Sequence, residues 1–165
     1  YQRDRFIVLF DRTYKLDSVG YHQHQSLAAI QSGGLWGDGL YQGTITQFGY
    51  LPAKQTDFIF SVACEELGFF GGFLIIVLLC TIIGICVAAA LKMRDDKFSM
   101  LMCIGIAAML TFQTFINIGM NLGIAPVVGL TLPLISYGGT SVVTMFIALG
   151  IVASLKKHYI RRTFL

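Results

Sequence analysis

From Leu67 to Leu91 the chain reads LGFFGGFLIIVLLCTIIGICVAAAL, without one charged residue. At a helical rise of 1.5 Å per residue, this stretch crosses a hydrocarbon core of about 30 Å with some tilt to spare. Two further apolar stretches follow, and the pattern predicts membrane-spanning helices at 67–91, 98–119 and 141–155, the last extending back to Leu134 if SYGGTS is helical. Residues 1–66 are polar and Gly-rich by comparison, and are expected to form a large loop with short helices. Residues 120–140, MNLGIAPVVGLTLPLISYGGT, carry no charge yet hold Pro126 and Pro133. Irregular backbone at membrane depth needs protein or water to satisfy it. The segment is therefore either a re-entrant-like link lining a cavity or an ordinary short loop at the headgroup level.

Composition supports the membrane assignment: 55% of the 165 residues are hydrophobic and only 13% charged. Soluble domains carry about a quarter charged residues. The expected fold class is an all-α polytopic membrane protein. The chain opens on Tyr1 rather than Met, and it is read as the C-terminal part of a longer polytopic chain. Orientation follows from Lys and Arg. The link 92–97 carries Lys92, Arg94 and Lys97, and the tail 156–165 carries Lys156, Lys157, Arg161 and Arg162. The positive-inside rule places both in the cytoplasm, so 1–66 and 120–140 face outward. Cys64, Cys80, Cys86 and Cys103 all lie in apolar surroundings with no CxxC spacing, which points to inert thiols rather than disulfides or zinc.

Charge placement brings Asp57 into view. LPAKQTDFIFSVACEELGFFGGFL holds Asp57, Glu65 and Glu66 just before the first span. On one continuous helix from Thr56, Asp57, Ser61 and Cys64 would share a face, and Asp57 and Glu65 would stand about 12 Å apart. Paired glycosidase carboxylates stand about 5–9.5 Å apart, so Asp57 would act alone or with groups from elsewhere. The plain alternative for Asp57 is a helix cap or first-turn acid. Glu65 and Glu66 also read as interfacial acids. Gln113 and Asn117, four apart in the second span, share a face, which suits helix–helix hydrogen bonding or a wet cavity. His22 and His24 read as loop histidines, since no third metal ligand is evident. QSGGLWGDGLYQG lacks the GxxxxGK[ST] pattern of a nucleotide loop and reads as turns or an anion nest.

Several stretches together resemble the SEDS family of RodA, FtsW and SpoVE. They are YQRDR at 1–5, GYHQHQSLAAIQSGGLWGDG at 20–39, LPAKQTDFIFSVACEELGFFG at 51–71, FQTFINIGMNLG at 112–123 and LTLPLISYGGTS at 130–141. YQRDR and NIGM look most like RodA. The resemblance implies the last three helices of a roughly ten-helix bundle in the bacterial inner membrane, with the large extracellular loop before them. It implies a peptidoglycan glycosyltransferase that polymerises lipid II on the outer face, for elongation and cell shape. Its partners would be a class B penicillin-binding protein and other elongation-complex membrane proteins, with no nucleic acid. The family's essential acid falls on Asp57. Gln25, Ser26, Lys54, Glu65, Asn117 and Ser136 become candidates for substrate contact. No cofactor is fixed by the resemblance, but a pyrophosphate leaving group calls for cations or a divalent metal, Mg or Mn. Gln55 replaces the family's usual His, and Asp38 stands where many relatives have Lys, so roles at those positions do not transfer. Two other functions fit the same features: a flippase for lipid-linked precursor, and a non-catalytic scaffold for the cross-linking enzyme. A transporter would place ionisable groups near the midplane. These spans hold only Gln, Asn and Thr there, which favours chemistry at the outer edge.

Overall fold

The computed structural model describes residues 19–51 and 55–163, and the described residues are helical, with no strand. Helix α1 spans Val19–Ser32, and a short helix α2 spans Thr44–Gln47. Three long helices follow: α3 (Ile59–Lys92), α4 (Lys97–Asn121) and α5 (Gly139–Thr163). All three are long and apolar enough to cross a membrane. They run up and down, so the start of α3, the end of α4 and the start of α5 meet at one end, with α1, α2 and the 122–138 link. At the opposite end Asp96 caps α4, accepting from the Ser99 hydroxyl at 2.7 Å, and the Tyr159 hydroxyl donates to Asp95 at 3.0 Å.

The core lies along the α3–α4–α5 seam. Small and flexible side chains fill it: Cys86, Ala89, Ala90 and Met93 meet Cys103, Ala107 and Leu110, with Met145 and Val152 from α5. Small residues let membrane helices approach closely, where dispersion replaces the hydrophobic drive that lipid removes. The outward faces, including Phe73, Leu78, Ile85, Phe112 and Phe146, remain exposed.

The helices depart from expectation at their starts. The first spanning helix begins at Ile59, not Leu67, because the polar residues before Leu67 are satisfied inside the protein. Ser61 and Glu65 are both fully buried. The Glu65 carboxylate accepts the backbone N–H groups of Ile45 (2.7 Å) and Thr46 (3.1 Å) together with the Thr46 hydroxyl. Two orphan donors at the start of α2 are thereby satisfied by one carboxylate. His22 and His24 lie on α1, not on a loop, and two helical residues point about 200° apart, which rules out a shared ligand face.

α3 is broken at Gly68, whose φ of 69° and ψ of −167° no other residue adopts cheaply. The break releases backbone groups, and the Gly-rich loop takes them up. Asp38 N–H donates to Glu65 O (3.0 Å), Gly39 N–H to Glu66 O (3.1 Å), and Phe69 N–H to Gly34 O (2.9 Å). This backbone-to-backbone approach is why the loop is rich in glycine: a Cβ on Gly37 would stand 2.3 Å from the Glu66 carbonyl oxygen.

Gly68→Ala forces an L residue into the glycine region and puts its Cβ 2.4 Å from Gly37 N. The full-length protein in detergent should lose roughly 3 kcal/mol or more, read by thermal unfolding. Glu65→Ala strands the α2 donors, at a cost of about 2–4 kcal/mol, with proteolysis of 40–50 faster than in wild type.

Candidate functional site

Asp57 sits in a tight turn at 55–58, one residue before the N-cap of α3, Phe58. α3 has no side-chain cap, so the expectation of Asp57 as a capping acid is not met. The turn is held by its carbonyls. Gln55 O accepts the Tyr137 N–H at 2.8 Å. Thr56 O accepts the Ser136 hydroxyl at 2.6 Å. Asp57 O accepts the side-chain amides of Asn117 at 3.0 Å and Asn121 at 3.1 Å. Three consecutive carbonyls are thus bound from α4 and from the link before α5.

Further bonds anchor these donors. Asn117 Nδ2 also donates to Leu130 O at 2.6 Å, tying the link to α4. Ser136 Oγ accepts the Leu132 N–H at 2.7 Å. Asn121 Oδ1 accepts the Ser61 hydroxyl at 2.6 Å, and Ser26 Oγ lies 2.6 Å from Ser61 Oγ and donates to Asn121 O at 2.9 Å. Gln23 Nε2 donates to Ala125 O at 3.1 Å. Ser26, Ser61, Asn117 and Asn121 are each 0% exposed, so the network is a buried one with its groups paired.

The 122–138 link is therefore tied to α1, α4 and the Asp57 turn, and part of its irregular backbone is bonded by them and by its own Ser136. Gly129, at φ 79°, approaches the site: a Cβ there would stand 3.5 Å from Asp57 Oδ2. Among the described residues no donor or cation reaches the Asp57 carboxylate, which is half-buried. Among these residues, the partners of the turn hold its main chain and not its acid.

The other expected site residues fall differently. Ser26, Glu65, Asn117 and Ser136 are turned into the protein, their polar atoms engaged with α2, the Asp57 turn and the link rather than open to a substrate. Burial explains the change, since a desolvated polar group must find a partner within the fold. Gln25 is half-buried on α1, and Lys54 lies outside the described residues. Among the described residues no three His, Cys, Asp or Glu side chains gather to hold a metal. They form no cage for the expected Mg or Mn. Asn121, Ser61 and Gly129 join the site beyond the residues the sequence suggests. The Asn117–Asn121 spacing of four was the available signal. Between α1, α3 and the end of α4, an apolar cavity of about 220 Å³ is lined by Ile30, Phe60, Cys64, Gly72, Phe73 and Leu122.

The chain is similar over nearly all its length to known proteins. The family model described as "Cell cycle protein" (FtsW, RodA, SpoVE) matches residues 1–160. The peptidoglycan glycosyltransferase MrdB of Escherichia coli K12 is 42% identical over 160 residues, covering 96% of this chain and 42% of that protein. Stage V sporulation protein E of Bacillus subtilis is 42% identical over 139 residues, 84% of this chain and 37% of that protein. The peptidoglycan glycosyltransferase RodA of Treponema pallidum is 37% identical over 155 residues, 94% of this chain and 36% of that protein. A solved chain described under "Structural coordination of polymerization and crosslinking by a peptidoglycan synthase complex" superposes with a TM-score of 0.73 at 31% identity, covering 96% of this chain and 42% of that one. The chain spans about two-fifths of the length of these relatives. The agreement of family model, sequence and fold over this length places the chain in the FtsW/RodA/SpoVE family.

Proposed function

We propose that the protein to which this chain belongs is a peptidoglycan glycosyltransferase of the bacterial inner membrane. It polymerises lipid II on the outer face, with Asp57 as general base. The observation that carries the reading is the open carboxylate of Asp57 on a turn whose three carbonyls are bound. A base must keep its oxygens free for the incoming hydroxyl while its backbone is fixed.

In this reaction the acceptor sugar's 4-hydroxyl attacks the anomeric carbon of the donor. The new glycosidic C–O bond forms as the bond from that carbon to the pyrophosphate oxygen breaks. The electron pair leaves with the undecaprenyl pyrophosphate, and the hydroxyl proton passes to an Asp57 oxygen. Gly129 lies beside Oδ2, where a side chain would crowd the carboxylate. The apolar cavity between α1 and α3 offers space for a lipid tail.

Topology agrees with an outer-face site. The basic clusters at 92–97 and 156–162 lie at the opposite end of the helices from Asp57 and, by the positive-inside rule, face the cytoplasm together with the C-terminus. YQRDR and NIGM favour the elongation branch of the family, in which the partner is a class B penicillin-binding protein. The relatives' names and the synthase complex support the activity and the partnership.

The test is polymerisation of purified lipid II by the full-length protein with its partner. Asp57→Asn should fold and bind its partner like wild type, with glycan synthesis reduced at least 100-fold, the loss typical of a removed general base. Retained synthesis would refute the assignment. Ser136→Ala removes the hydroxyl held by Thr56 O and Leu132 N–H, and should lower the turnover number about tenfold while leaving Asp57 in place.

A further inference from the structure

We infer that Asn121 is a positioning residue for the reaction: its side-chain amide fixes the main chain of Asp57 and thereby the place of the carboxylate. This rests on the reading of Asp57 as the base. Asn121 is the last residue of α4 and is 0% exposed. Its Nδ2 donates to Asp57 O at 3.1 Å and to Asn117 O at 2.7 Å, while its Oδ1 accepts the Ser61 hydroxyl at 2.6 Å. That pattern sets the orientation of the amide. A flipped amide would aim its oxygen at two carbonyl oxygens.

Helix termination does not need this residue. The N–H groups of Leu122 and Gly123 already close the last turn on Ile118 O and Met120 O, and Gly123 takes the left-handed φ of 71° that ends α4. Burying an amide at that point is costly unless it is paired, and the pairing found is with the turn that carries Asp57. Asn121 is also where the strands of the network meet: it touches α1 through Ser26, α3 through Ser61, α4 through Asn117 and the turn through Asp57. Since α3 has no side-chain cap, the orientation of the turn depends on these carbonyl bonds. A displacement of the base by about 1 Å is enough to cost on the order of 100-fold in rate.

The experiment measures turnover and KM for lipid II with the full-length protein and its partner. Asn121→Ala removes both ends of the amide. Asn121→Asp has the same shape and keeps the acceptor for Ser61, but loses the donor to Asp57 O. Both should lower kcat by about 10- to 100-fold, with KM within about threefold of wild type. Leu79→Ala, a truncation of a 4% exposed core residue on α3, controls for stability alone. It should lower the unfolding temperature with kcat near wild type. The inference is overturned if both Asn121 variants keep wild-type kcat, or if Leu79→Ala loses as much kcat at the same loss of stability. Asp57→Asn in the same assay separates the two claims. An active Asp57→Asn protein would remove the base reading itself. An inactive one beside fully active Asn121 variants would remove only the positioning role.

Discussion

The carbonyls of Gln55, Thr56 and Asp57 are bonded to Tyr137, Ser136, Asn117 and Asn121, and the rest of the site depends on this contact. Three separate stretches of the chain converge there: the entry to α3, the end of α4, and the link before α5. Each carbonyl would be costly to bury unpaired, so the polar side chains of α4 and the link are drawn inward to serve it. The consequence is an acid carried on a fixed backbone, with its own oxygens unengaged among the described residues. An Asp capping α3 would have been rigid but occupied, and an Asp on a free loop would have been open but unplaced.

The same logic shapes the neighbouring junction. The break at Gly68 frees carbonyls and N–H groups inside a helix that must lie near the membrane, and the loop at 33–39 satisfies them backbone to backbone. Glu65 then binds α2 to the helix from within. The segment Ile59–Leu67 is thus gripped from both sides, and it carries the Asp57 turn at its head. Helix break, glycine loop and buried carboxylate form one support.

Much of this architecture was legible in the sequence. The three spans follow from charge-free runs, and the positions of Lys and Arg mark a basic end of the helices opposite the one that carries Asp57. The burial of Glu65 was not legible, because Glu65 and Glu66 look like interfacial acids. Glu65 becomes helical and buried only through donors 19 and 20 residues away in sequence. The glycines of 33–43 could be read as turns, but not as the complement of a helix break at Gly68. Asn117 was visible as a polar residue on a span. Its partners, the carbonyls of Asp57 and Leu130, are a matter of tertiary structure that no local pattern encodes. The family resemblance pointed to Asp57 itself. The bound turn beneath it, which supports the proposed role, is a feature of the fold.

The most direct measurement is a structure of the full-length protein with its partner and an unreactive lipid II acceptor in place. The account predicts the acceptor hydroxyl within hydrogen-bond reach of an Asp57 carboxylate oxygen, about 2.6–3.2 Å, with the Gln55, Thr56 and Asp57 carbonyls still bonded to Tyr137, Ser136, Asn117 and Asn121. An Asp57 carboxylate ion-paired within the protein, with the acceptor hydroxyl beside a different acid, would contradict it.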